Sequence, residues 1–284
     1  MSFSRAIQAI KHHQSQEIPT QGIPKLIHQI YAAPGDIPPD LQNNINSIKK
    51  TNPDWEHRLY DKNDIEKLIL DIFGSAVLAT WKRIDPAYGA ARADLFRYLC
   101  LYHFGGVYLD IKSNISKPLD TLIRPDDSYL LAQWDHSEGS PHIGWGLHKE
   151  LKHIPGGEYI QWFIACSPGH PFIKEVLLQV LSRINRYNPI FDKTGQPGVL
   201  RLTGPIAYSK AIQSVRDRYP HRHLIAGKSL GFVYSIYDKT EQTYQHRNLF
   251  GKHYSQLPHP IVHVTPWRQF LFQTYCRYRK KPFK

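Results

Sequence analysis

The chain has 284 residues, of which 41% are hydrophobic and 21% are charged, and its formal net charge is +12. The apolar share is too high for an intrinsically disordered chain, and the length suits one large α/β domain or a domain with an appended lobe. No apolar run approaches the roughly 20 residues that cross a bilayer. Residues 11–17 are polar, unlike the apolar core of a signal peptide, so we expect a cytoplasmic protein.

The excess positive charge predicts an anionic partner. Nucleic acid, an anionic membrane surface and phosphorylated small molecules would each satisfy it. The basic residues are scattered without a helix-turn-helix, zinc-finger or RNA-recognition pattern, so we predict no nucleic-acid partner. Residues 271–284 form a basic tail interleaved with aromatic residues. Such a tail could lie on anionic lipid headgroups or extend into solvent, and the sequence favours neither.

The three cysteines, Cys100, Cys166 and Cys276, form an odd set without paired spacing. Such a set favours neither a disulfide framework nor a zinc site. We interpret Cys100 and Cys166 as buried packing residues.

The first part of the chain alternates between strand and helix patterns. Residues 24–31 predict a buried strand, and residues 39–50 predict a helix that is apolar on one side. Residues 55–60 predict a second strand, and the acids after it cap a helix that continues to Ile69. This alternation predicts an α/β fold with a mostly parallel sheet.

The later elements are less regular. We predict further strands at residues 128–134, 159–166 and 261–265, and helices at residues 172–187 and 206–219. The Gly- and His-rich residues 136–157 lack periodicity and predict loops near a functional site.

The most informative segment joins a helix to a strand. Residues 87–104 carry apolar side chains at helical spacing, and Gly105-Gly106 then supply the left-handed backbone that ends a helix. Residues 107–111 predict a strand that delivers an acid, Asp110. Ligands of open α/β sheets gather at the carboxyl ends of strands. Asp110 is therefore a candidate for binding sugar hydroxyls or a divalent ion on a diphosphate.

The preceding helix offers three charged candidates, Arg92, Asp94 and Arg97. Asp94 and Arg97 are three residues apart and share a helix face. Because the helix packs antiparallel to the strand, we expect all three side chains to reach the pocket of Asp110. An ordinary surface pair between Asp94 and Arg97 would show the same spacing.

The same residues carry a family resemblance. Residues 90–99 (AARADLFRYL) and 103–110 (HFGGVYLD) closely resemble the signature of sugar-binding-region glycosyltransferases with an Asp-x-Asp motif, the family 32 enzymes. Further segments fit the family in the same order, at residues 23–31, 167–172, 203–205 and 263–267. The resemblance extends over roughly residues 22–270.

The resemblance implies a GT-A fold, a Rossmann-like and mostly parallel sheet flanked by helices. We predict a leader at residues 1–21, a single GT-A catalytic domain at residues 22–270 and the basic tail at residues 271–284. The implied activity is retaining transfer of a hexose from a nucleotide-sugar donor to a glycan or lipid-linked acceptor. We expect a role in bacterial capsule or lipopolysaccharide synthesis, in the cytoplasm or on the inner face of the cytoplasmic membrane.

The resemblance also implies roles for individual residues. Asp94 and Arg97 match the pair that contacts the donor sugar and the diphosphate region, and Asp110 matches the first acid of the motif. Tyr31 and Tyr108 match aromatic residues on the nucleotide side, although either could be a core residue.

A C-terminal segment that closes over the diphosphate in the family is represented by His263, Thr265 and Trp267. His263 would be a metal ligand together with Asp110, or a buried hydrogen-bonded histidine. Trp267 would donate a hydrogen bond to the leaving group, or serve in packing.

One position departs from the family pattern. The second acid of the motif, which normally holds the metal ion, is Lys112 here, and two positive charges about 4 Å apart repel by several kcal/mol. Lys112 could itself neutralise the diphosphate. It could instead point away and leave Asp110, His263 and Asn114 to hold Mn²⁺ or Mg²⁺. The third alternative is a non-catalytic protein that binds nucleotide sugars or glycans.

Sugar transfer builds negative charge on the leaving nucleoside diphosphate. Preorganised cations and hydrogen-bond donors aimed at that charge should supply the largest stabilisation. The candidates are Lys112, Arg97, Thr265 and Trp267. No residue is a clear covalent nucleophile, so we expect front-face attack by the acceptor. Asp135 and Glu158 could orient the acceptor or lie on the surface as ordinary acids.

Overall fold

The computed structural model describes residues 2–13, 22–237 and 257–279. Its centre is a six-stranded sheet with the strand order β2-β1-β3-β6-β5-β7. The strands are β1 (Leu26–Ile30), β2 (Glu56–Tyr60), β3 (Gly106–Leu109), β5 (Tyr129–Trp134), β6 (Phe163–Cys166) and β7 (Arg222–Ala226). Within this sheet β6 alone runs antiparallel to its neighbours. The predicted mostly parallel sheet is confirmed.

Helices flank the sheet, and a small ladder stands beside it. The α-helices are α1 (Ser2–His12), α2 (Pro39–Thr51), α3 (Lys62–Leu68), α4 (Ser75–Lys82), α5 (Gly89–Phe104), α6 (Leu119–Leu122), α7 (Pro171–Arg186), α8 (Pro189–Asp192), α9 (Gly195–Leu202), α10 (Pro205–Gln213) and α11 (Pro266–Arg279). Strands β4 (Asn114–Ile115) and β8 (Phe232–Val233) pair antiparallel. No helix in the described segments is long and apolar enough to cross a bilayer.

Alternate residues of β3 point to opposite faces of the sheet and so into two different parts of the core. Tyr108 joins the larger cluster, which includes residues of α5 and α7. Val107 and Leu109 join the second cluster, which includes Ile48 of α2 and residues of α6. The sheet is therefore covered on both faces, as a parallel sheet requires.

The junction of α5 and β3 depends on two glycines, as predicted. Gly105 ends α5 with φ 64°, and Gly106 begins β3 with φ 90°. A Cβ atom on Gly106 would lie 2.7 Å from the Leu26 carbonyl oxygen on β1. The chain can therefore pass from α5 into β3 beside β1 only if residue 106 lacks a side chain.

Replacing Gly106 with alanine should lower the free energy of unfolding by about 3 kcal/mol, through left-handed strain and the collision with Leu26. Urea unfolding would measure the loss as a shift in midpoint. Gly89→Ala is the matched control, since a Cβ atom there meets no atom within 4 Å. Equal stability of the two variants would contradict this account of the junction.

The structure corrects three predicted elements. The strand predicted at residues 261–265 is wrong: Val262 forms a single bridge with Ile84, because Ile84 lies in the turn between α4 and α5 and not in a strand. The strand predicted at residues 159–166 begins only at Phe163, and the helix predicted at residues 206–219 ends at Gln213. Cys100 and Cys166 are buried and unpaired, as predicted.

Two terminal helices were not predicted. Helix α1 buries Ala6 and Ile10 completely and packs against α4 and α7. Helix α11 runs across the boundary predicted at residue 270. The division into leader, catalytic domain and tail stays a prediction, but residues 2–12 pack on the core.

Candidate functional site

The site lies at the turn that follows β3, because the strand ends at Leu109 and Asp110 begins the turn. The amide of Asp110 donates to the Trp162 carbonyl (2.9 Å), and the amide of Ser113 donates to the Asp110 carbonyl (2.8 Å). The side chain of Asn44 on α2 donates to the carbonyls of Ile111 (3.1 Å) and Ser113 (2.9 Å). The turn is thus held from the sheet and from α2.

Among the described residues the carboxylate of Asp110 has two partners, and both contact Oδ1. The Tyr108 hydroxyl donates to it at 3.0 Å, and Nη2 of Arg97 lies 3.3 Å away. The Asp110 side chain is 25% exposed, so a ligand in solvent can reach it.

Arg97 is buried between two acids. Its Nη2 lies 3.0 Å from Oδ1 of Asp94 and 3.3 Å from Oδ1 of Asp110, and its Nη1 donates to the Gln161 carbonyl at 2.7 Å. The guanidinium carbon lies 4.5 Å from the centroid of the Tyr108 ring. Burial alone would lower the pKa of Arg97, but Tyr108, Asp110 and Asp94 together raise it. Arg97 therefore stays positively charged although it is only 5% exposed.

Asp94 is the innermost member of this group. Its Oδ1 accepts from Nε2 of Gln161 (3.2 Å) and its Oδ2 from the hydroxyl of Thr203 (2.8 Å). The Asp94 side chain is buried, so the alternative of an ordinary surface pair with Arg97 is wrong. Burial raises the pKa of Asp94 to about 6, although Arg97 opposes that shift.

The raised pKa of Asp94 predicts a pH-dependent stability. The folded state binds this proton more tightly than a carboxyl group at its ordinary pKa of 3.8 does. The Asp94 contribution to the free energy of unfolding should therefore decrease as the pH rises from 3.8 to about 6 and stay level above it. Subtracting the Asp94→Asn stability curve from that of the parent protein isolates this contribution. Parallel curves across the window would contradict the assignment.

Lys112 turns towards an aromatic residue from the far end of the sequence. Its Nζ donates to the Tyr234 hydroxyl at 2.9 Å and lies 4.0 Å from the centroid of that ring. The Ser113 hydroxyl donates to the Tyr234 carbonyl at 2.6 Å, and the Ile236 amide donates to the Lys112 carbonyl at 2.9 Å. Within the described residues no ion pair joins Lys112 to Asp110, so its charge is not neutralised there.

The residues present do not form a ready-made Mn²⁺ or Mg²⁺ site. In the described part of the chain no three His, Cys, Asp or Glu side chains are grouped so that they could hold a metal ion. Asn114 instead donates to Oδ1 of Asn44 at 2.7 Å. Oδ1 of Asp110 already accepts from Tyr108, and an ammonium stands where the family's second acid would be.

The structure does not bring the predicted C-terminal residues to Asp110. The backbone amide of His263 donates to the Arg83 carbonyl at 2.8 Å, and the His263 side chain is exposed. Thr265 directly precedes α11, and Trp267 is 66% exposed, stacked on Phe270 with centroids 6.0 Å apart.

Among the described residues, His263, Thr265 and Trp267 make no hydrogen bond, ion pair or ring contact with Asp94, Arg97, Tyr108 or Asp110. The roles of His263, Thr265 and Trp267 therefore stay predictions. The alternative of a buried histidine is wrong for His263. Because Pro266 starts a helix at this point, the segment continues as α11 and packs beside α8.

Arg92 also lies apart from the site. Its guanidinium carbon stands 4.5 Å from the Trp81 ring, and its Nε donates to the Ile84 carbonyl at 2.9 Å. Positions 92 and 94 differ by about 200° around a helix, so only one of them can face β3. Arg92 therefore contacts Trp81 and Ile84 and not Asp110, and its role in donor binding stays a prediction.

Tyr31 stands at the neighbouring strand end. Its hydroxyl donates to the Asp36 carbonyl at 3.0 Å, and its ring packs with Leu41 and Tyr237. These contacts match the core alternative given for Tyr31, and its place on the nucleotide side stays a prediction.

Glu158 and Asp135 differ in environment. Glu158 is buried and accepts from Nε1 of Trp134 (2.8 Å) and from Nε2 of His148 (2.8 Å), so the surface alternative is wrong for it. Asp135 accepts from the amide (2.9 Å) and hydroxyl (2.6 Å) of Ser137, and these bonds lower its pKa. Neither contacts the group around Asp110.

Sequence reasoning missed three residues of the site: Gln161, Thr203 and Tyr234. Thr203 belongs to the segment 203–205, which resembles the family and could have been chosen on that basis. Gln161 and Tyr234 carry no such signal, because they reach the site only through the fold.

The turn after β3 lies within a region that matches a known family. Residues 38–129 match the family model described as glycosyltransferase sugar-binding region containing DXD motif. Residues 38–129 belong to this family. The matched region contains Asp94, Arg97, Tyr108 and Asp110, the four side chains that form the ion-paired group.

Three curated fungal proteins are similar to the chain. Inositol phosphoceramide mannosyltransferase 1 of Schizosaccharomyces pombe is 25% identical over 73% of this chain and 56% of its own length. Initiation-specific alpha-1,6-mannosyltransferase of the same yeast is 26% identical over 67% of this chain and 48% of its own. Mannosyl phosphorylinositol ceramide synthase CSH1 of Saccharomyces cerevisiae is 32% identical over 68% of this chain and 50% of its own. The chain thus spans about half the length of these relatives.

A solved structure supports the fold. The ligand-free glycosyltransferase domain from the YGT toxin superposes with a TM-score of 0.50, covering 91% of this chain and 90% of that chain. At 9% sequence identity this likeness concerns the fold alone. Together with the single antiparallel strand in an otherwise parallel sheet, it confirms the predicted GT-A fold.

Proposed function

We propose that the protein is a glycosyltransferase that takes a hexose, with mannose the first candidate, from a nucleoside diphosphate. The observation that carries the proposal is the buried guanidinium of Arg97, held between Asp94 and Asp110 where β3 ends. Mannose is the first candidate because the names of the three fungal relatives specify mannosyl transfer.

The arrangement suits recognition of a charged sugar donor. Burying an arginine with two acids stabilises a fold little, because desolvation offsets much of their attraction. Buried groups of charged residues are found at functional sites, where they hold a charge in position for a substrate. The carboxylate oxygens of Asp110 can accept hydrogen bonds from sugar hydroxyls, and Arg97 fixes the orientation of that carboxylate.

We assign to Lys112 the role of binding the diphosphate of the donor. Its ammonium adjoins Asp110 in sequence, carries no ion pair with it and is held by Tyr234. As the bond from the anomeric carbon to phosphate breaks, a fixed cation beside the leaving oxygens lowers the barrier. The acceptor hydroxyl then attacks the anomeric carbon from the face that the diphosphate leaves, the leaving phosphate oxygen takes the hydroxyl proton, and the anomeric configuration is retained.

A glycan or a lipid-linked glycan fits as the acceptor, and two of the fungal relatives have names that refer to inositol phosphoceramide or its mannosyl form. The role in bacterial capsule or lipopolysaccharide synthesis and the place on the inner membrane face stay predictions.

The proposal can be tested with a panel of nucleoside-diphosphate sugars. A specific donor should raise the melting temperature by mass action, and slow release of free sugar should accompany binding. Nucleoside-diphosphate mannose is expected to give the largest shift. A donor that binds without hydrolysis or transfer to any acceptor would favour the non-catalytic alternative, and a panel without binding would refute the proposal.

The role of Lys112 gives a separate prediction. Lys112→Met should lower kcat/KM by roughly 100-fold, the scale of losing one preorganised charge, and the parent protein should keep its rate in chelator. Lys112→Asp restores the second acid, so its residual rate should rise with added Mn²⁺. Lys117→Met is the control, since Lys117 is exposed and donates to the Ser229 carbonyl. A chelator response equal in parent and Lys112→Asp would contradict this role.

A further inference from the structure

An exposed apolar loop lies beside the candidate site. We call residues 143–147, Ile-Gly-Trp-Gly-Leu, the apolar loop. Its three large side chains are all exposed: Ile143 by 56%, Trp145 by 43% and Leu147 by 59%. Such a patch on an otherwise well-packed protein marks an interaction surface.

Two glycines and two backbone hydrogen bonds fix the conformation of the apolar loop. Gly144 and Gly146 have φ of 82° and 71°, a conformation that favours glycine. The Gly146 carbonyl accepts from the amides of His148 (2.9 Å) and Glu158 (3.0 Å). A Cβ atom on Gly146 would lie 2.4 Å from the Glu158 side chain. The backbone conformation of the loop therefore directs its apolar side chains towards solvent.

Aromatic rings connect the apolar loop to Lys112. The Trp145 ring packs edge-on against Trp134 (5.3 Å) and Tyr234 (5.5 Å). Tyr234 in turn accepts the hydrogen bond from Lys112. A molecule that covers the loop thus lies next to the residues assigned to the donor.

The side chains around the loop favour a lipid surface over a free sugar. A sugar-binding platform needs polar side chains that bond hydroxyls. The outer side chains next to Trp145 in sequence are the aliphatic Ile143 and Leu147, and the nearest polar ring, His142, packs against Trp145 and Trp134 with centroids 4.9 Å away. Tryptophan between aliphatic groups is typical of the membrane interface. Lys149 and Lys152 follow the loop and are exposed, while the acid between them, Glu150, is ion-paired with Arg201.

We infer that the apolar loop docks the protein on a membrane containing anionic lipid. Ile143, Trp145 and Leu147 would enter the boundary between headgroups and acyl chains, and the lysines would face the headgroups. This inference concerns a surface other than the basic tail. It is independent of whether sugar transfer occurs, and it would bring a membrane-borne acceptor next to Tyr234.

Vesicle flotation tests the inference. The full chain should float with phosphatidylcholine vesicles that contain phosphatidylglycerol, and less with phosphatidylcholine alone. The triple variant Ile143→Ser, Trp145→Ser, Leu147→Ser should bind at least about tenfold more weakly, since each apolar side chain contributes to partitioning. Phe191→Ser is the matched control, because Phe191 is 79% exposed on α8, which packs on α9 and α11.

A spectroscopic measurement separates insertion from loss of folding. Lipids brominated on their acyl chains should quench tryptophan fluorescence, and Trp145→Phe should remove part of that quenching while vesicle binding persists. Unchanged quenching in Trp145→Phe would overturn the inference, as would equal flotation of the triple variant and the parent protein. Fluorescence changes with soluble oligosaccharides but not with vesicles would identify a glycan platform and would also overturn it.

Discussion

Asp110→Asn is expected to reduce sugar transfer by a factor on the order of 10² to 10³, the cost of removing one preorganised group that acts on the reacting substrate. The amide keeps the size of the carboxylate and can still accept from Tyr108. It cannot provide the negative charge that pairs with Arg97. Because Arg97 keeps its closer ion pair with Asp94, we expect a folded protein whose melting temperature changes little but whose kcat/KM falls by that factor, measured by release of free sugar and by transfer.

A second aspartate in the chain supplies the matched control. Asp120 accepts from Lys25 at 2.8 Å and from Nε1 of Trp55 at 3.1 Å, so it too is held by one cation and one aromatic residue. Lys25 and Trp55 precede β1 and β2, whereas Asp110 follows β3, which places Asp120 at the opposite end of the strands. Asp120→Asn should leave transfer unchanged, and a similar loss in both variants would mean that the site has been misplaced.

The part of the site that is local in sequence could be predicted, and the part that the fold assembles could not. The spacing of Asp94 and Arg97 on one helix, followed by two glycines and Asp110, is readable because few residues separate them. Their burial is not, since it depends on Gln161 and Thr203. The partner of Lys112 is Tyr234, 122 residues away, and no local pattern connects the two.

The fold shows the same division. Strands β1, β2 and β5 and helices α2, α5 and α7 were predicted because each has a regular apolar pattern and clear end signals. Helix α1 was missed although Ala6 and Ile10 stand four residues apart. These two buried residues lie among polar residues, so the apolar spacing of the helix was too weak to recognise. The C-terminal strand failed because residues 261–265 have an apolar pattern that resembles a strand, yet their bridge partner, Ile84, lies in the turn between α4 and α5 and not in a strand.

Arg97→Met should have the largest effect on stability. It leaves Asp94 buried and Asp110 partly buried without their shared cation, and breaking a buried ion pair costs about 3–5 kcal/mol. Arg201→Met is the control: Arg201 pairs with Glu150, but both side chains are partly exposed, at 30% and 26%. Such a pair contributes at most about 1 kcal/mol. Equal losses of unfolding free energy in urea would contradict a buried role for Arg97.

A double variant separates stability from donor recognition. Adding Asp94→Asn to Arg97→Met removes the buried charge that has lost its partner, so much of the unfolding free energy should return. Transfer should not return, because the group that orients Asp110 is still absent. Recovery of both stability and transfer would mean that Arg97 only supports the fold. Recovery of stability alone would assign the charge of Arg97 to the substrate site. A role there would explain why the protein keeps a buried cation that contributes little net stability.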